Sequence, residues 1–313
     1  SEMCIRDSAN TTLDAKALNT DGAATANTAT QLQKGLIVSN NNSGFGGPNP
    51  NVIDGSSVDL SGTVNSTAIA HASTNGGGAA NANAKAVRPH PSLTFGGEKI
   101  GVDVDRTNSK GTAKVNGQVN SSFDVDANNI HGAATATTQE QQVTGVLGTI
   151  LTANGAIDVD GTAMVNQDAK ASTHGGGDAT ANVFSGPNFN AGGGLDSSGN
   201  SVEAGGPGGA RQFPLDGVTG IAYTGNIDGQ KSVDLDGIVS YTGAATAQNT
   251  TGNATANVGN NNQPLQDMVG TLLVTPHNVN SNGDMTISGN TTAMTTSSAS
   301  THSGAATAGI NSD

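Results

Sequence analysis

The chain has 313 residues, 45 of them glycine, with two tyrosines, six phenylalanines and no tryptophan, so it lacks the large apolar side chains of an ordinary globular core. A formal charge of −13 excludes a general nucleic-acid binder, and a single cysteine, Cys4, excludes an intrachain disulfide and argues against thiol catalysis. No apolar run approaches the length of a transmembrane helix.

Residues 1–8 share their composition with nothing that follows and resemble translated adapter sequence. They are expected to be non-native, with the natural start upstream. Residues 9–30 read as the end of a truncated repeat. Repeats then follow at 31–90, 91–140 and 141–185. A Gly/Pro/Ser-rich insertion occupies 186–214, and two further repeats run over 215–263 and 264–313. The frame is set by the glycine before each short Ala/Thr strand: Gly22, Gly78, Gly132, Gly177, Gly252 and Gly304. Without the insertion the period is about 50 residues, within the range of repeat architectures.

Each unit reads as three pieces. The first is a more hydrophobic strand, such as Gly35-Leu36-Ile37-Val38, Val146 to Leu151, Gly220-Ile221-Ala222-Tyr223 or Gly270 to Val274. The second is a long alternating strand, cleanest from Gly111 to Ala127. There Gly111, Ala113, Val115, Gly117, Val119, Ser121, Phe123, Val125 and Ala127 share one face. The third is a short Ala/Thr/Asn strand ending near Val183 or Val258. Asn-Gly-Gly-Gly at 75–78 and His-Gly-Gly-Gly at 174–177 read as turns that permit positive φ.

No window shows a helical period, so the expected class is all-β, a repeat array with β-solenoid-like stacking. The alternative is an antiparallel meander of long hairpins forming a sandwich or extended sheet. A two-residue corner preserves parity, so alternation alone does not separate the two. Small core residues and abundant Asn and Thr favour stacking. Unequal repeat lengths favour hairpins. In either case, hydrophobic volume is too small to dominate, and paired backbone ladders must hold the chain together. A buried Ala methyl contributes roughly 0.8 kcal/mol, against about 1–2 kcal/mol to order one residue's backbone.

Asp-x-Asp pairs are the sharpest chemical pattern: Asp103/Asp105, Asp124/Asp126, Asp158/Asp160 and Asp234/Asp236. Alternate positions place both carboxylates on one strand face, where they are oxygen ligands suited to Ca²⁺. The other reading is a solvated acidic face that discourages wrong sheet pairing. His131, His174 and His302 precede Gly-rich turns, and stacking would bring them near one another. Turn-flanking polar residues are the simpler reading, because imidazole metal sites need several converging ligands. No Walker loop or Gly-x-Ser-x-Gly elbow occurs, and no catalytic role is expected.

Phrases such as Ser172-Thr173-His174-Gly175-Gly176-Gly177-Asp178-Ala179 and Thr251-Gly252-Asn253-Ala254-Thr255-Ala256-Asn257-Val258 resemble the strand–turn–strand repeats of curlin-type amyloid subunits. The regular Gln positions of curlins are mostly missing, and the period here is about twice theirs. More broadly, the chain resembles repetitive secreted bacterial surface proteins of the adhesin kind. The resemblance implies an extracellular or cell-surface location and a non-enzymatic structural or adhesive role, with cell-surface or glycan contacts. Its alternatives are a self-assembling filament or biofilm-matrix subunit, associating through end strands, and a carbohydrate- or ice-binding β-solenoid. Nucleic acid is not an expected partner.

Overall fold

The structure, a computed structural model, describes residues 2–30, 33–37, 53–86, 99–104, 106–140, 142–148, 150–185, 218–223, 225–259, 268–273 and 278–311. These form strands and connecting turns, with no helix among the described residues. The long alternating segments are β1 (Glu2–Asn19), β5 (Ser57–Thr74), β9 (Ala113–Asn129), β13 (Ile157–Thr173), β17 (Val233–Asn249) and β21 (Met285–Thr301). They stack in that order as one six-stranded sheet. A second sheet of six stacks β2 (Ala24–Thr30), β6 (Ala80–Ala86), β10 (Ala134–Glu140), β14 (Ala179–Ser185), β18 (Ala254–Val258) and β22 (Ala306–Ile310).

The third sheet holds β3 (Gln33–Ile37), β7 (Lys99–Asp103), β11 (Gln142–Gly148), β15 (Val218–Tyr223) and β19 (Met268–Leu273). The fourth holds β4 (Ile53–Gly55), β8 (Arg106–Ser109), β12 (Ile150–Ala153), β16 (Ile227–Gly229) and β20 (Val279–Ser281). Every pairing is parallel and joins neighbouring rungs, as between β9 and β13 or β10 and β14. The chain is therefore a β-solenoid-like stack. The hairpin alternative needs antiparallel pairs, and the described residues contain none.

Periodicity predicted the long strands because one face is buried. Val115, Val119, Phe123, Val125 and Ala127 are all buried, while Lys114, Asn116 and Gln118 between them are exposed. Opposite them the second sheet supplies columns of alanine, Ala80, Ala134, Ala179 and Ala254 followed by Ala82, Ala136, Ala181 and Ala256. Gly111 belongs to the corner before β9, not to its buried row. The segment from Val146 to Leu151, expected as one strand, is divided between β11 and β12. The fourth sheet had no sequence signal, because strands of three or four residues are too short to show a period. The insertion 186–214 lies outside the described residues.

Glycine works here mainly through close approach. Gly62, Gly117, Gly161, Gly237 and Gly289 share one register of the long sheet. They face Gly145, Gly220 and Gly270 of the third sheet. A Cβ on Gly220 would lie 2.5 Å from Gly270 O, 2.7 Å from Ile238 N and 2.9 Å from Gly161 O. The two sheets thus meet backbone to backbone along a waist with no room for side chains. The marker glycines form another column, in which a Cβ on Gly132 would lie 2.5 Å from Gly78 O. Positive φ, which both triple-glycine turns permit, occurs at Gly176 in the 174–177 turn. No glycine of the 75–78 turn has it, since among the described residues the other positive-φ glycines are Gly259 and Gly304. Residues 2–8 form the start of β1, and Asp7 stands opposite Gly62 in the glycine column of the long sheet.

One polar column sits at the corner that ends the long sheet. Asn19, Thr74, Asn129, Thr173, Asn249 and Thr301 occupy one register, and the two residue types alternate from rung to rung. Asn129 is fully buried. Its Nδ2 donates to Gly78 O at 2.6 Å and Ala133 O at 2.9 Å, and its Oδ1 accepts from His131 N at 3.1 Å and Gly132 N at 2.9 Å. Thr173 Oγ1 reaches back to Gly132 O at 2.9 Å, and Thr74 Oγ1 to Gly22 O at 2.7 Å. Each corner is thereby tied to the rung before it. Replacing Asn129 by Ala strands several buried backbone groups and is expected to cost about 2–3 kcal/mol. The exposed Asn116→Ala change should stay within about 0.5 kcal/mol, and thermal unfolding of the two variants checks the contrast.

Candidate functional site

The outer face of the long sheet carries most of the chemistry that the sequence offers. Side chains at equal register form rows across the rungs, roughly 4.8 Å apart. Asp158 lies beside Asp234 and Asp160 beside Asp236, so two of the predicted pairs make a grid of four carboxylates. Burial, and then repulsion from Asp158, raise the Asp160 carboxyl above its ordinary range. The grid is partly offset. Lys114 Nζ pairs with Asp158 at 3.0 Å, and Ser288 Oγ donates to Asp236 at 2.8 Å.

Asp124 and Asp126 stand further along the same face, away from that grid. Asp124 is level with Asp168, and Asp126 is level with His71 on one side and Lys170 on the other. Partial burial raises Asp126, while His71 and Lys170 act in the opposite direction. Asp103 belongs to β7 in the third sheet, and Asp105 lies outside the described residues. The eight aspartates therefore do not form one site. Among the described residues no three His, Cys, Asp or Glu groups converge closely enough to hold a metal ion. The solvated-face reading fits this geometry better, and melting midpoints in Ca²⁺ and in chelator are expected to coincide.

The histidines are not level either. Thr173 pairs with Asn129, so His174 follows the register of Ile130, one residue before His131. Thr250 stands between His174 and His302 in the stack.

Between the two acidic groups the face is neutral. Asn65 Nδ2 donates to Asn10 Oδ1 at 2.7 Å, and Asn120 Nδ2 donates to Asn65 Oδ1 at 2.8 Å. The next position in this amide ladder is Met164, which leaves Asn120 Oδ1 buried without a partner. A shallow groove of about 310 Å³ crosses four rungs here, lined by Asn65, Thr67, Asn120, Met164, Asn166 and Thr242. It contains no aromatic platform and no charged group.

A second polar group lies inside the coil, and sequence reasoning missed it. Thr138 and Glu140 on β10 and Gln167 on β13 are all fully buried. Thr138 Oγ1 donates to Gln167 Oε1 at 2.9 Å, and Gln167 Nε2 donates to Glu140 Oε2 at 3.1 Å. The hydroxyl of Tyr241 and Glu140 Oε1 are buried without partners. Burial pushes the Glu140 carboxyl up to about 8, so its protonated form predominates at neutral pH. Burial first, and then Glu140, push the Tyr241 phenol up. The signal available in sequence was Gln167 itself, a long polar residue at an inward position of the alternating strand. Comparison with known protein families, with curated proteins and with solved structures finds no match.

Proposed function

We propose that this chain is a non-enzymatic structural stretch of an extracellular or cell-surface array, a stiff and hydrated spacer. One observation carries the reading: parallel ladders run through six rungs of the long sheet with little change of register. Stacked rungs give axial stiffness, because bending must strain many backbone hydrogen bonds together. The exposed faces carry Asp, Asn, Thr and Ser, and the net negative charge opposes lateral collapse. Adhesion would then be a property of surface rows and loops presented along the stack. Small-angle scattering and electron microscopy of the purified chain test this. Dispersed flat monomers, about 56 Å along the 17-residue strands and about 29 Å along the six-rung stack, support it, and compact spheres reject it.

A second reading is a filament or matrix subunit, favoured by the edge strand β21. Residues 285–311 contain no Asp, Glu, Lys or Arg, and Met285 and Ile287 are 44 % and 45 % exposed. Long uncharged edges are templates for pairing. Fibres with cross-β diffraction at micromolar concentration would favour this reading over the dispersed spacer.

A further inference from the structure

The buried trio of Thr138, Gln167 and Glu140 has the composition and contacts of a self-reacting centre. At the Thr138 register, the adjoining rungs carry Ala84 and Val183, and the rungs beyond carry Thr28 and Val258. At the Gln167 register they carry Ala68, Phe123 and Gly243. Among the described residues, only here does the lumen place a hydroxyl against a carboxamide, with a carboxyl on the amide nitrogen. We propose that Thr138 and Gln167 join through an intramolecular ester, formed with loss of ammonia and assisted by Glu140, which covalently ties β10 to β13 in the next rung.

The step balances without any co-reactant. Thr138 Oγ1 attacks Cδ of Gln167, and the carbonyl π pair moves to Oε1, which takes the hydroxyl proton along the existing hydrogen bond. The tetrahedral centre then collapses. The Cδ–Nε2 bond breaks, its electron pair leaves with nitrogen, and Glu140, whose carboxyl lies 3.1 Å from that nitrogen, gives it a proton once the contact reverses and the acid O–H donates. The proton on Oε1 returns to the Glu140 carboxylate as the carbonyl re-forms. One hydroxyl and one carboxamide become one ester and one ammonia, and Glu140 is regenerated.

Three features support the reaction. Hydroxyl and amide are held in contact by two strands of adjoining rungs, which replaces a bimolecular encounter by a fixed geometry. Burial keeps Glu140 protonated at neutral pH, as an acid for a poor leaving group must be. All three side chains have no solvent exposure, so water is kept from hydrolysing the product.

Intact mass spectrometry of the full chain is the test. The expected mass is lower than the sequence mass by one ammonia, with a peptide map joining the segments that contain Thr138 and Gln167. Hydroxylamine should split that link. Thr138→Val should restore the full sequence mass, and Thr138→Ser should keep the loss, because a nucleophile remains. Glu140→Gln should slow link formation at least tenfold, and the wild-type rate should fall as pH passes about 8. A wild-type chain at its full sequence mass overturns the proposal. So does a mass loss that persists in Thr138→Val, which would place it elsewhere, for example at an Asn-Gly succinimide. A Glu140→Gln chain that links as fast as wild type overturns the role of Glu140.

Discussion

A Gly161→Ala chain is expected to melt roughly 6–12 °C below the parent, from about 3 kcal/mol of overpacking and 2–4 °C per kcal/mol in a unit of this size. Gly161 stands at the waist where the long and third sheets touch. Its Cβ would meet the Gly220 carbonyl, with Gly220 C at 2.7 Å and the Ile221 side chain at 2.5 Å. Two of these obstacles are backbone inside a paired ladder, and moving them breaks hydrogen bonds in rungs above and below. Gly77→Ala is the matched control, because nothing lies within 4 Å of its Cβ position. That change should be neutral within about 0.5 kcal/mol, or slightly stabilising through the unfolded chain. Calorimetry of the two variants reads the difference directly. If Gly161→Ala melted with its control, the waist would not be closed, and the account of how these sheets pack would fail.

The second large effect is a dependence on pH set from inside the coil. The Glu140 carboxyl is raised from an ordinary 4.5 to about 8. A raised folded-state value means that the native state keeps its proton while the unfolded chain has lost it. The stabilisation is therefore complete below pH 4.5, falls progressively up to about pH 8 and is flat above that. Across the window the loss is on the order of 5 kcal/mol, at about 1.4 kcal/mol per pH unit. Asp160 and Asp126 are also raised, so they act in the same direction. Wild-type chain should accordingly unfold at lower temperature at pH 8 than at pH 5. Glu140→Gln removes the internal proton and should flatten most of that slope. Parallel pH profiles for the two chains would show that Glu140 does not govern it.

Class, burial parity and frame were legible in the residues for one reason: a strand with one dry face writes its geometry as alternation. Val115, Val119, Phe123 and Val125 say as much without coordinates. The six marker glycines also share one structural position, two residues before each strand of the second sheet. Parallel stacking was less legible, since alternation is identical in a hairpin. What decided it was which rung each strand pairs with, and that depends on partners 44 to 76 residues away. The acidic rows show the same limit. Asp158 and Asp160 announce a shared face, but whether Asp234 lies beside them or a rung further on depends on register. The trio of Thr138, Glu140 and Gln167 was out of reach for a similar reason, being separated by 27 and 29 residues and joined only by the winding of the chain.

The alternation of Asn and Thr at the corner also bears on how such a molecule can change length. Its structural unit is a pair of windings, although sequence similarity suggests one. Deleting or duplicating a single winding would set two corners of the same kind against each other, a junction found nowhere between Asn19 and Thr301. Growth and shortening by twos would preserve every existing contact. Genes for arrays of this sort should then vary in steps of about a hundred residues, twice the single-winding period.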